Sequence, residues 1–265
     1  IDSDTAAHIH RLTGLVLSPH YGASKMRWCL DHYPKVRAAA AVGELAMGPL
    51  SSFVLFRLLR ERPFVVDPAN ASRTQLWNPA TGDWAPELLQ LFGIETASLP
   101  RPVTSRYDYG TLEVGGRAVP LTVCTGDQAA VPFAFGRLRP DAAYVNFGTG
   151  AFILRPMIES NAPALLNSLL WSDEQTTIRA LEGTVNGAGS ALQWLADEEG
   201  FEVGRMLAPL GGQIDPQLRP PLFLNGISGL GSPFWFADFP SRFEGPGTVQ
   251  EKFVAVLESI LFLVR

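Results

Sequence analysis

The sequence predicts an α/β protein, as one large domain or two lobes. Three observations carry that expectation. Strand-like and helix-like segments alternate along all 265 residues. Hydrophobic residues make up 46% of the chain and charged residues 18%, enough apolar material for buried cores and too much for disorder. The length fits one large domain or two of about 100–200 residues each. The segment 136–141 (GRLRPD) offers a boundary, placing 1–137 in a first lobe and 138–265 in a second. No repeat at solenoid spacing and no low-complexity linker interrupts the pattern.

The elements follow in order. Residues 24–33 (SKMRWCLDHY) put Met26, Leu30 and Tyr33 near one helical face, and Pro34 ends that helix. An Ala-rich stretch leads to 42–47, read as a strand, and to 53–59, read as a helix. Asn70-Ala-Ser-Arg-Thr74 reads as a polar loop, 78–83 as a turn, and 84–92 as a short helix. Residues 119–124 read as a compact buried strand running into Gly126-Asp127-Gln128. Residues 143–154 read as a β-hairpin with Gly148-Thr149-Gly150 at its tip. Residues 182–197 begin with small side chains and continue as a helix. A strand at 220–224 precedes the Gly-rich loop 225–232, and 253–265 carries the apolar spacing of a well-buried helix.

Charge and cysteine usage exclude several functions. The formal net charge is −5 and no Lys/Arg run stands out, so neither nucleic acid nor an anionic membrane is an expected partner. No stretch approaches the roughly 20 apolar residues of a membrane span, and no signal peptide opens the chain; a cytoplasmic protein is expected. Cys29 and Cys124 lie far apart in apolar sequence and read as reduced, buried thiols. Four scattered histidines without close cysteines do not suit structural zinc. The chain opens without methionine and closes inside a helix without a Gly cap or Pro stop, as an internal piece of a longer protein would.

Four segments have the residue types for chemistry. Asp127, at a strand's carboxyl end, can accept a hydroxyl proton or help hold Mg²⁺, and Gln128 can hydrogen-bond a substrate hydroxyl; the Gly-Asp pair is also ordinary turn chemistry. Gly148, Thr149 and Gly150 let backbone amides and a hydroxyl approach a phosphate, though many such triplets are merely turns. Gly187-Ala-Gly-Ser190 opens a helix with small residues, either to seat a nucleotide near Gly189 with Gln193 one turn on, or to pack closely on a sheet. Gly226–Trp235 matches neither common phosphate-binding glycine pattern and reads as a rigid loop.

The order of these blocks is more specific than any one of them. Thr13-Gly-Leu-Val-Leu-Ser-Pro, Asn70-Ala-Ser-Arg-Thr74, Gly126-Asp127-Gln128-Ala-Ala, Phe147-Gly-Thr-Gly-Ala-Phe152, Leu181-Glu-Gly with Gln193-Trp-Leu, and Gly229-Leu-Gly-Ser-Pro-Phe-Trp235 occur in series. That series resembles the FGGY carbohydrate kinases, with the glycerol kinases the nearest branch. The resemblance implies two actin-like (ribonuclease-H-like) lobes with a cleft between them, incomplete here at both ends. It places ATP and Mg²⁺ mainly in the second lobe and a polyol or sugar in the first.

By the same resemblance Asp127 is the general base, with the Mg²⁺ contact resting on its carboxylate as above. Gln128 and Phe152 are substrate-site residues, and Thr149 within Gly148 and Gly150 belongs to the second phosphate loop. Gly189 and Gln193 are nucleotide contacts. The sequence departs from the family in lacking the early Asp-x-Gly-Thr loop and the early substrate residues. His20 stands where glycerol kinases carry Tyr, still able to donate to a substrate hydroxyl. Ser51-Ser52-Phe53 replaces Asp-Thr-Trp. The implied function is ATP-dependent phosphorylation of a polyol or sugar hydroxyl, glycerol first, with this piece inactive by itself. The alternatives are a pentulose or deoxy-sugar kinase of the same family, or a degenerate actin-like domain that binds nucleotide without turnover. A homo-oligomer is left open.

Overall fold

A carboxylate begins the first helix. Asp2 accepts a hydrogen bond from the Thr5 amide at 2.8 Å and so caps α1 (Ser3–Thr13), which ends on Gly14. The computed structural model describes residues 2–157, 164–208, 215 and 217–265. Pro34 stops α2 (Gly22–His32) and, in the first turn where its missing N–H costs nothing, starts α3 (Pro34–Ala41). There follow α4 (Leu50–Leu58), β1 (Val65–Val66), α5 (Pro68–Ser72), the short hairpin β2 (Trp77–Asn78) and β3 (Asp83–Trp84), and α6 (Pro86–Phe92). β4 (Arg101–Pro102) pairs parallel to β1. β5 (Arg106–Val114) and β6 (Arg117–Val123) form an antiparallel ribbon around Gly115-Gly116, and α7 (Asp127–Ala130) comes next.

The later elements are β7 (Tyr144–Phe147), β8 (Ala151–Met157), β9 (Leu166–Ser172), β10 (Thr177–Val185), α8 (Gly189–Glu199), α9 (Val203–Leu207), β11 (Leu222–Leu224), β12 (Arg242–Glu244) and α10 (Val249–Val264). β7 to β10 form one sheet in the order β7-β8-β10-β9, and β11 pairs antiparallel with β12. The α/β expectation holds, as do the helix at 24–33, the hairpin tipped by 148–150 and the long final helix.

Three expectations are corrected. Residues 42–47 are irregular backbone, not a strand. The alanine run stays helical to Ala41, Gly43 turns the chain, and Val42 is 69% exposed. Asn70, Ala71 and Ser72 lie in α5 rather than a loop. The Asp67 carboxylate accepts from the Asn70 amide at 3.1 Å, and Pro68 opens the helix. β6 is largely exposed rather than buried, because its ribbon has a sheet partner on one side only.

The chain divides into two compact units. The first comprises residues up to Pro140 together with Pro156–Ala180; the second comprises Asp141–Arg155 and Leu181–Arg265. In the first, Trp77 and Trp84 meet edge to face at 5.6 Å among Ile9, Leu76, Leu88 and Leu169. In the second, α8 and α10 bury Leu195, Phe253 and Val256 beside Ala151, and Trp194 stacks on Phe223 at 5.4 Å.

Leu195 is 1% exposed whereas Gln193, two residues earlier on the same helix, is exposed. Leu195→Ala is expected to cost about 2–5 kcal/mol in urea unfolding. Gln193→Ala is expected to stay within about 0.5 kcal/mol.

Candidate active site

The tip of the β7–β8 hairpin is fixed by its register. Phe147 faces Ala151, which leaves 148–150 as the turn, and the Gly148 amide donates to the Gly150 carbonyl at 2.8 Å. The outer carbonyls of that turn meet the start of α8. Gly189 N donates to Gly148 O at 2.9 Å, and Ala188 N and Ser190 N donate to Thr149 O at 3.2 and 3.0 Å. The Ser190 hydroxyl adds a bond to Thr149 O at 3.1 Å. Helix amino ends leave their first amides without intrahelical partners, and here the hairpin tip supplies acceptors. A Cβ on Gly189 would stand 2.5 Å from Gly148 O, so the contact demands glycine.

Gly148, Thr149, Gly150 and Gly189 are therefore one corner of the second unit. Thr149 is exposed there. The corner can offer its hydroxyl to an anion, while the amides of 188, 189 and 190 are already engaged by the tip. Gln193 lies one turn on, exposed, with Nε2 donating to Asp197 at 2.7 Å. Phe152 is half-buried on β8.

The loop from 225 braces this corner. Buried Asn225 donates through Nδ2 to Gly187 O at 2.8 Å and Ser259 Oγ at 3.1 Å, and its Oδ1 accepts from Ile227 N at 3.4 Å. Ser232 Oγ accepts from Thr184 N at 2.5 Å, and Ser232 N donates to Thr184 O at 3.1 Å. The sequence reading of a rigid loop described the segment but missed Asn225 and Ser232 as its anchors. Their position, one polar residue at each end of a glycine run, was the available signal.

The first unit holds the other named residues. Asp127 opens α7, exposed, and its Oδ1 accepts from Gln128 N at 2.7 Å. Gln128 is half-buried. His20 is exposed in the turn before α2, where its amide donates to Ser18 Oγ at 3.2 Å and its carbonyl accepts from Lys25 Nζ at 2.7 Å. No hydrogen bond joins His20 to Asp127. Both cysteines are free and half-buried. Among the described residues, no group of three or more His, Cys, Asp or Glu side chains is placed to hold a metal, and no helix is long and apolar enough to cross a membrane.

Known proteins share this arrangement of elements. The structure of Plasmodium falciparum glycerol kinase with ADP superposes with a TM-score of 0.84 at 23% identity, over 97% of this chain and 53% of that one. A xylulose kinase from Brucella ovis does so with a TM-score of 0.82 at 20% identity, over 99% and 55%. The fold is thus the actin-like fold of sugar kinases.

In sequence, residues 3–135 match the amino-terminal domain of the FGGY family of carbohydrate kinases. The glycerol kinase of Alkalilimnicola ehrlichii is 36% identical over 234 residues, 85% of this chain and 47% of that protein. That of Agrobacterium fabrum is 33% identical over 259 residues, 94% and 52%. The chain belongs to the FGGY family of carbohydrate kinases. It spans about half the length of these relatives.

Gly189→Ala tests the corner. The added methyl must push Gly148 O away, with an expected loss of about 1–3 kcal/mol and faster amide exchange at 148–150. Gly204→Ala, on α9 with nothing within 4 Å of the new Cβ, is the matched control and should be neutral or slightly stabilising.

Proposed function

We propose that this chain serves ATP-dependent transfer of a phosphoryl group to a hydroxyl of a polyol or sugar, with glycerol as the first substrate. The observation that carries the reading is the glycine-flanked Thr149 turn, hydrogen-bonded onto α8 in a member of a carbohydrate kinase family. Such a turn holds its shape before a ligand arrives, and electrostatic control of phosphate depends on fixed donors.

Each residue then has a task. Asp127 takes the proton of the attacking hydroxyl. A bond forms between that oxygen and the terminal phosphorus of ATP, the bond to the bridging oxygen breaks, and ADP leaves. Asp127 is exposed at the first position of α7, where the substrate can reach it. Gln128, Phe152 and His20 orient the substrate, the turn at Gly148, Thr149 and Gly150 takes the phosphate, and Gly189 and Gln193 border the nucleotide. The lobe of residues 1–137 serves the polyol or sugar, and the lobe from 138 serves ATP. The setting is cytoplasmic.

Mg²⁺ is commonly held by one or two carboxylates together with substrate phosphates and water, rather than by a full protein cage. The single carboxylate of Asp127 fits that demand. When bound, the ion supplies charge neutralisation at the phosphate oxygens.

The solved relatives include a glycerol kinase, xylulose kinases and a gluconate kinase, so the substrate is tested as a panel. In the full-length protein that carries this chain, coupled ATP turnover with glycerol, xylulose, ribulose, rhamnulose and gluconate is expected to favour glycerol. Preference for a ketose would move the assignment within the family, with His20 the first position to change. In the same full-length protein, Asp127→Asn is expected to lower kcat by about 100-fold or more while KM for ATP holds; near-normal turnover would remove Asp127 as the base.

A further inference from the structure

We infer that Asp67 is a positioning residue for Asp127 and acts on it through the thiol of Cys124. The catalytic half of this inference rests on the base role given to Asp127 above.

Asp67 is a carboxylate with 0% exposure, following β1 and capping α5. Three donors converge on it. Asn70 N donates to Oδ2 at 3.1 Å, Asn70 Nδ2 donates to Oδ1 at 2.7 Å, and Cys124 Sγ donates to Oδ1 at 3.5 Å. Capping a five-residue helix does not require a buried charge, since Ser, Thr or Asn caps as well. What does require one is the set of donors. An ionised carboxylate only accepts, at both oxygens, whereas an asparagine would turn an N–H toward at least one of them.

The partner outside α5 is the one that matters. Cys124 directly follows β6, and Asp127 stands three residues further on. The Cys124 amide donates to Ser105 O at 2.9 Å, and the Thr125 hydroxyl donates to Leu170 O at 3.0 Å. Ser105 is itself tied to β9, giving its amide to Ser172 Oγ at 3.0 Å and accepting the Ser172 amide at 3.1 Å. The turn that presents Asp127 is therefore anchored from β9, from Ser105 and from Asp67. Of these anchors, Asp67 and Ser105 are both fully withdrawn from solvent, and Asp67 is the charged one, linked to a helix start.

The electrostatics agree with a thiol that stays a donor. Burial, then the Asp67 charge, push Cys124 up to about 12. Burial pushes Asp67 above the usual carboxylate range, opposed by its bonds to Asn70 and Cys124. Tyr109, against which Tyr107 packs edge to face, also faces these charges, and burial raises it well above an ordinary phenol.

The test separates the anchor from the chemistry. In a Cys29→Ala background, Asp67→Asn removes the charge that suppresses the thiolate, so alkylation of Cys124 at pH 8.5 is expected to speed by about tenfold or more. Cys124→Ala cuts the link while leaving the Asp67–Asn70 cap intact. Amide exchange across 125–130 should then rise by about tenfold with 144–154 unchanged, and Cys124→Ser should restore part of the protection. Circular dichroism identifies any variant that fails to fold, and Cys124→Ala keeps the question open if Asp67→Asn does. Unchanged exchange across 125–130 in folded Cys124→Ala overturns the inference. Raised exchange with a lower kcat and a constant KM for ATP supports both the anchor and the base. Raised exchange with unchanged kcat leaves the anchor standing and overturns its catalytic role, while turnover of Asp127→Asn decides the base role separately.

Discussion

Two sets of backbone groups that cannot satisfy themselves meet at the junction of β8 and α8. A tight turn leaves carbonyls pointing outward, and a helix leaves its first amides unpaired. Joining Gly148 and Thr149 to residues 188–190 answers both shortages at once. The distance this imposes explains the surrounding composition. Ala151, Ala188 and Ala191 are essentially fully buried, and larger side chains there would hold the helix off the turn. The brace formed by Asn225 and Ser232 makes sense as reinforcement of the same junction, since each bonds the segment running from β10 into α8.

The two carboxylates of the first unit show how one residue type is divided between tasks. Asp127 is exposed and, among the described residues, its carboxylate accepts from the adjacent amide, so lone pairs remain for a ligand. Asp67 is withdrawn from water and saturated with donors. A group that must change partners during a reaction benefits from the first environment, and a group that must hold geometry benefits from the second.

Sequence patterning was most legible where local signals and tertiary partners agree. The 143–154 hairpin could be read because apolar runs flank a glycine turn on both sides, and that sheet is what β7 and β8 enter. Residues 42–47 failed for the opposite reason. Their apolar content resembles a strand, but among the described residues no neighbouring strand receives them; the Met47 amide donates to Ser98 O. Asn70–Thr74 looked like a loop because its polar residues compete with helix formation, and the deciding cap, Asp67, lies outside the block. Of the candidate site, the tip and α8 were visible as glycines and small residues. Asp67, Ser105 and Asn225 were not, since their roles depend on partners 57, 67 and 38 residues away.

The β5–β6 ribbon carries a further consequence. β5 is bridged on its far side by Leu59 to Leu112, so the outer edge of β6 is the open one, a template on which another extended chain can add, and Val119 and Val123 stand roughly half exposed along it. Pro120 interrupts the template in β6, because it has no N–H to give an incoming strand, and Arg117 places a charge at the start of the same edge. An incoming strand would therefore meet a missing donor and a charge along the edge that leads into the segment delivering Asp127.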